Sequence, residues 1–258
     1  MRAGPFFALD AVAFDYEPFP IGLARPLMES AVYKDLVDAF PPLDRLTHYD
    51  VLGRPGSKYT LSEREQPKAY RDFVRDHPVW REFHAWIKSD AFIDHVLDAL
   101  AAQHIDLGFR RRAPVRRLAR NLRALRRGGI SPRDARLSTR FEFSALPADG
   151  GRLLPHTDAP SKIVTLVVSM LREGEWNPAW GGGLEVCRPR DPRRFGFNWM
   201  NELADFEDMQ VVRTFEFEPN QAIVFVKTYD SWHTVRPMTG VGAKDVRRTL
   251  TIVIETPT

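Results

Sequence analysis

The chain reads as an α+β protein with a mainly β core, a small jelly-roll barrel carried behind an N-terminal helical layer. Three observations predict this. Residues 138–256 contain β-branched, apolar runs separated by turn residues, the pattern of paired strands. Between Leu27 and Gln103 apolar residues recur at helical period instead. A length of 258 residues is enough for one sizeable core, so a single domain over 1–258 is expected. Within it, 1–137 would be the helical support and substrate region, and 138–256 the β core that carries the site.

Residues 1–26 are strand-like and punctuated by Pro5, Pro18, Pro20 and Pro26. From Leu27 to Phe40 the apolar positions follow a helical period, and Pro41-Pro42 ends that helix. Residues 43–66 are polar and turn-rich and read as an ordered loop or lid. Two helices follow at about 67–76 and 78–88, the second with Pro78 in its favourable first turn. A fourth runs from Ser89, a good N-cap, to near Gln103. Phe109 to Gly129 is the odd segment, rich in arginine and without an acidic residue. Leu118, Leu122 and Leu125 form one stripe, with Arg116, Arg120, Arg123 and Arg127 beside it, so a basic amphipathic helix closed by Gly128-Gly129 is expected. It offers a surface for an anionic partner (glycan, lipid or small molecule), with peripheral membrane contact through 109–127, or else a solvated face of a packing helix. No aromatic residues interleave with the arginines, which argues against nucleic acid.

In the second half, Arg140, Glu142 and Ser144 alternate with Phe141 and Phe143. If the phenylalanines face an apolar layer, Arg140 and Glu142 point into the barrel mouth as substrate contacts; the alternative is a cross-strand ion pair. Lys162 to Leu171 reads as a buried strand leaving the turn His156-Thr157-Asp158. A second strand covers Gln221 to Lys227, and His233 opens a short one from Trp232 to Arg236. The last, Val246 to Glu255, places Arg247, Thr249, Thr251 and Val253 on one face and Arg248, Leu250, Ile252 and Ile254 on the other. Of the tryptophans in this half, Trp176, Trp180, Trp199 and Trp232, most read as core, with one near the mouth available to stack on a ring.

Composition excludes more than it assigns. The net charge is +3 and the calculated pI about 9.1, a surplus of arginine rather than a general polycation. One cysteine, Cys187, rules out an intramolecular disulfide framework and reads as a small buried residue. The apolar start is short and cut by Pro5 and Asp10, so neither a signal peptide nor a membrane span is expected. A cytoplasmic protein is the simplest reading; oligomeric state is not encoded in any pattern.

His156, Asp158 and His233 are the residue types of the facial triad, two imidazoles and a carboxylate that hold Fe(II) and leave the opposite positions open. Arg247 adds a fixed cation able to pair bidentately with a carboxylate beside the metal. Each residue alone has a bland reading: a capping turn, a packed aromatic neighbour, an edge-strand charge. Their joint occurrence, each on strand-like sequence, points to a metal site.

These residues resemble the Fe(II)/2-oxoglutarate-dependent oxygenases, and within them the prolyl-hydroxylase-like branch with its bacterial relatives. The match is His-x-Asp at 156–158, the distal His233, and Arg247-Arg248-Thr249-Leu250-Thr251, similar to the family's Arg-x-Ser-Leu-Thr, which selects Arg247 over Arg248. Gly181-Gly182-Gly183-Leu184 resembles the family's Gly-Gly-x-Leu turn into a core strand. The resemblance covers about residues 138–256. It implies a double-stranded β-helix that binds Fe(II), 2-oxoglutarate and O2, with His156, Asp158 and His233 on the metal. It further implies a cosubstrate carboxylate on Arg247, with Thr251 and Leu184 nearby. Where the prolyl hydroxylase pattern often has a cosubstrate-contacting tyrosine, this chain has Ser169. The implied reaction is hydroxylation of an unidentified primary substrate coupled to conversion of 2-oxoglutarate to succinate and CO2. A carboxylate at Asp158 favours hydroxylation over halogenation, for which relatives carry a small residue there. Two alternatives stand beside it: a cupin-like metalloenzyme of another reaction class, and a non-catalytic metal-binding sensor.

Overall fold

A computed structural model describes residues 5–10, 12–49, 58–107 and 137–256. The arginine-rich segment 109–129 lies outside the described residues. Twelve strands and four longer helices are described. Strands β1 (Ala13–Asp15) and β2 (Ile21–Ala24) precede α1 (Ser30–Asp38), and β3 (Thr47–Tyr49) and β4 (Lys58–Ser62) precede α2 (Pro67–Asp76), α3 (Pro78–Ile87) and α4 (Asp90–Ala102). The second half is β: β5 (Ser138–Pro147), β6 (Leu153–His156), β7 (Lys162–Ser169), β8 (Leu184–Pro189), β9 (Met209–Phe215), β10 (Ala222–Val226), β11 (His233–Val235) and β12 (Val246–Glu255).

The helices begin where their first turns can be satisfied. Ser89 accepts a hydrogen bond from the Phe92 amide and caps α4, and Pro67 and Pro78 open α2 and α3, where the missing N–H is not needed. The 43–66 stretch differs from the loop expected of it. It forms β3 and β4, an antiparallel pair added to the sheet edge beside β5. Thr47, Thr60 and Tyr59 are good strand formers, but the segment lacks apolar alternation because β4 buries small polar residues, Thr60 and Ser62, beside Leu61.

The strands form two antiparallel sheets. One has eight strands in the order β1-β2-β10-β7-β12-β5-β4-β3, and the other four in the order β6-β11-β8-β9. Among the described residues no strand pairing closes them into a barrel, so the expected barrel is instead a sandwich of two facing sheets. Period-two alternation sorts the large sheet cleanly. Phe141 and Phe143 of β5, Val164, Leu166 and Val168 of β7, and Leu250, Ile252 and Ile254 of β12 are buried in one cluster with Leu36, Tyr70, Trp80, Phe83, Phe92 and Val96 from the helices. The helical layer therefore covers the outer face. Trp80 is wholly buried, with its indole N–H satisfied by the Ala39 carbonyl at 2.7 Å. The inner face looks toward the small sheet, with apolar plugs at Leu184, Val186, Phe215, Ile223 and Phe225 on one side and Leu146, Trp176, Val235 and Met238 on the other. Between the plugs the inner face is polar.

Candidate metal centre

The two histidines meet because their strands do. His156 ends β6, His233 opens β11, and they are direct partners in the register, with ring centroids 4.2 Å apart. Each ring is aimed by a carbonyl two residues earlier in its own chain: His156 Nδ1 lies 2.8 Å from the Leu154 oxygen and His233 Nδ1 2.9 Å from the Ser231 oxygen. A carbonyl only accepts, so Nδ1 carries the proton in both rings and Nε2 presents its lone pair to the cavity. Burial, with the neighbouring His233, holds the His156 imidazole down to about 3. His233 is lowered as well, first by burial. Both rings are neutral, as ligands must be.

Asp158 completes the group. One ligand atom from each of His156, Asp158 and His233 lies within 4.8 Å of the others. Its φ of 73° puts it in the left-handed region, which bends the chain back after β6 and turns the carboxylate toward the histidines. Oδ2 accepts from the Thr165 hydroxyl at 2.9 Å and Oδ1 from the Lys162 ammonium. Burial alone would raise the carboxyl, but the Lys162 charge beside it outweighs that and holds Asp158 well below the usual carboxylate range. The ligand turn is clamped from both sides. Asn201 Oδ1 accepts from the Thr157 amide at 3.2 Å, Thr157 Oγ1 donates to the Asn198 carbonyl at 2.7 Å, and Ser231 Oγ donates to the Thr157 carbonyl at 3.0 Å.

The triad opens onto a cavity of about 290 Å³ between the sheets. Arg247 lines it and is only 3% exposed. Its Nε donates to the Gly182 carbonyl, and its guanidinium lies 4.7 Å from the centroid of the Phe217 ring. No carboxylate pairs with it among the described residues, and burial lowers it to about 10. Gly182 has φ 91°, and a Cβ there would come within 3.3 Å of the Arg247 side chain; the bare backbone is what lets the arginine approach its carbonyl. Arg248 points the other way, to Glu175 at 2.5 Å. The register that selects Arg247 therefore holds.

The remaining sequence candidates divide. Leu184 and Thr251 line the cavity, as do Arg140 and Glu142, but Ser169 does not. Ser169 sits beyond Val167 on β7, opposite Thr249. Arg140 and Glu142 each make the cross-strand ion pair that stood as their alternative: Arg140 meets Glu255 of β12 at 3.3 Å and Glu142 meets Lys58 of β4 at 2.6 Å. Trp232 is core, stacked edgewise on Phe195, whereas Trp199 is 43% exposed and lies beneath the Lys227 ammonium at 5.0 Å. Sequence reasoning missed Lys58, Lys162, Thr165 and Asn201. Lys162 was the most accessible of these, since it stands four residues after Asp158 at the head of a strand that alternates inward.

Cys187 is buried on β8, and burial pushes its thiol up to about 12. It is expected to resist alkylation at pH 8 in the native protein and to react at once in denaturant. Thiol titration with and without guanidinium checks this; fast native labelling would contradict the burial.

Residues 141–255 match the sequence profile of the 2OG-Fe(II) oxygenase superfamily. The matched segment carries all three triad residues and Arg247, and members of that superfamily use Fe(II) and 2-oxoglutarate. Solved structures similar to the chain include a prolyl hydroxylase from Trichoplax adhaerens in complex with a hypoxia inducible factor peptide fragment (10% identity over 92% of this chain and 83% of that one, TM-score 0.48). Others are a Pseudomonas putida prolyl-4-hydroxylase (17% identity, 94% and 96% covered, TM-score 0.44) and the epimerase SnoN from nogalamycin biosynthesis (11% identity, 92% and 79% covered, TM-score 0.47). No curated protein sequence matches this one. Among the described residues no helix is long and apolar enough to cross a membrane.

Proposed function

We propose that the chain is a non-haem Fe(II)- and 2-oxoglutarate-dependent dioxygenase that hydroxylates a primary substrate while 2-oxoglutarate becomes succinate and CO2. The observation that carries this reading is Arg247, a buried guanidinium in the triad's own cavity with no acidic partner among the described residues. Leaving such a charge unpaired costs several kcal/mol, about what pairing it with a ligand carboxylate returns. A cupin-like metal site of another class gives no role to that cation, and a metal-binding sensor uses the triad but gives none to the cation either.

The donor set fits Fe(II): two neutral imidazoles with Nε2 free and an ionised carboxylate. When bound there, the metal supplies the activation of dioxygen. The chain supplies the rest. His156 and His233 are pre-aimed by backbone carbonyls, and Thr165 fixes the Asp158 carboxylate through Oδ2. Arg247 orients the cosubstrate by its distal carboxylate, with Thr249 and Thr251 beside it on β12, while Leu146, Val167 and Leu184 exclude water from that end. Ser169, which does not line the cavity, is left in a supporting position.

The test is anaerobic. Protein with Fe(II) should bind one 2-oxoglutarate per chain by equilibrium dialysis, and succinate should form when air is admitted. Protein that binds Fe(II) yet shows no 2-oxoglutarate binding would overturn the reading.

The carboxylate itself is tested at Asp158. Asp158→Glu keeps the charge but moves it outward by one methylene, and is expected to leave little turnover coupled to hydroxylation. Asp158→Ala and Asp158→Gly should lose native hydroxylation and open a position that chloride can take. Product mass spectrometry in chloride and chloride-free buffer checks this. Normal hydroxylation by either variant would remove Asp158 from the ligand set.

A further inference from the structure

The cavity wall carries four cations, Lys58, Arg140, Lys162 and Arg247, against two carboxylates, Glu142 and Asp158, with Glu255 behind the wall on Arg140. Fe(II) and the 2-oxoglutarate dianion cancel one another, so loading the site as proposed above leaves that excess of positive charge in place. The cations are not clustered. β12 pairs with β5 so that Arg247 faces Leu146, while Arg140 faces Val253 and Glu142 faces Thr251. Six residues of strand, roughly 20 Å, separate the Arg247 level from the Arg140 level. β7 brings Lys162 to the same far end, opposite Glu255. Arg140 and Lys162 therefore stand at the end opposite Arg247, and Lys58, one residue before the Tyr59–Ala145 pair and so level with Leu146, reaches toward them as far as Glu142.

The three differ in what already holds them. Lys58 pairs with Glu142 at 2.6 Å, and Arg140 meets Glu255 at 3.3 Å. Lys162 pairs with Asp158 through Oδ1, the same oxygen that lies 3.7 Å from His156 Nε2. That oxygen faces the triad, so a metal held there competes with the ammonium for it, and two cations on one oxygen repel. Lys162 is thus the cavity cation whose partner is the one carboxylate the metal needs.

We propose that the primary substrate is anionic, and that its carboxylate or phosphate group is held by Lys162, flanked by Arg140, at the end of the cavity opposite Arg247. The inference rests on the oxygenase reading. It adds to it a substrate class and a specificity-determining residue. An anion on Lys162 satisfies the ammonium beside the triad and anchors the substrate carbon chain next to the reacting position. A neutral substrate leaves that ammonium facing the metal with nothing to balance it.

The experiment is calorimetric and needs no turnover. Full-length protein is loaded with Mn(II) and the unreactive cosubstrate analogue N-oxalylglycine, which occupies the Arg247 end. It is then titrated at constant ionic strength with inorganic phosphate, with acetate, and with glycerol as the neutral control. Saturable binding of at least one anion is expected, weakened at least fivefold in Lys162→Met, largely restored in Lys162→Arg, and unchanged in Lys68→Met, a surface cation on α2. The stronger of the two anions tells phosphate from carboxylate substrates. Normal loading with no anion binding by the wild type, or with equal binding by Lys162→Met, overturns this inference and leaves the oxygenase reading standing. Failure of the wild type to load with Mn(II) and the analogue overturns both.

Discussion

His156→Ala and His233→Ala are each expected to abolish stoichiometric Fe(II) binding. The three ligand atoms lie within 4.8 Å of one another, and losing one leaves a two-point site that water completes poorly. Loss of an outer hydrogen bond to a metal ligand costs about 10–100-fold in affinity; loss of the ligand itself should exceed that. Both rings are neutral in the fold and already aimed by their own carbonyls, so neither variant has a nearby imidazole to substitute for the one removed. Anaerobic metal analysis after desalting reads the result. Full metal content in both variants would dissolve the triad.

The second large effect belongs to Arg247. Arg247→Ala should weaken 2-oxoglutarate binding by about 2–5 kcal/mol, the cost of removing one partner from a buried charge pair. Arg248→Ala should change it little, because Arg248 faces outward to Glu175 and the Phe40 ring. Stability should move the other way. A guanidinium held by one carbonyl and a ring face is costly to bury, so Arg247→Met, which keeps most of the volume, is expected to match or exceed the wild type in ligand-free thermal unfolding while failing to bind cosubstrate. Titration and melting of the same four proteins check both halves. Tight 2-oxoglutarate binding by Arg247→Ala would move the cosubstrate elsewhere.

Much of this was legible before any coordinates. The alternation of β12 alone separated Arg247 from Arg248, because a buried sheet fixes which face each residue takes. The helices were legible from period and punctuation, α2 to the residue at Pro67 and Asp76. The hairpin β3–β4 was not, since β4 buries the polar Thr60 and Ser62 beside a single apolar Leu61 and so shows no apolar period. The open sandwich was not either: strand content is local, whereas closure depends on which edges meet. At the site, the triad and Arg247 were visible because their chemistry is unusual in strands. Lys162 and Lys58 were not, because a lysine's role depends on the carboxylate across from it, here Asp158 and Glu142, and that pairing is set by register. Arg140 and Glu142 were placed on the right face, and the cross-strand ion pair weighed for them is what each makes, Arg140 with Glu255 on β12 and Glu142 with Lys58 on β4.

Asp158 stands at a backbone angle that most side chains avoid. Aspartate tolerates it, and glycine adopts it with no strain. An aspartate codon becomes a glycine codon by a single base change. At this turn, then, the backbone exerts no selection for the carboxylate; its loss would instead leave the Lys162 ammonium and the buried Thr165 hydroxyl without their acceptor. The metal and those two donors together keep the residue in place, so exchanging one chemistry for another here asks for compensation at positions 162 and 165 and not for a new backbone.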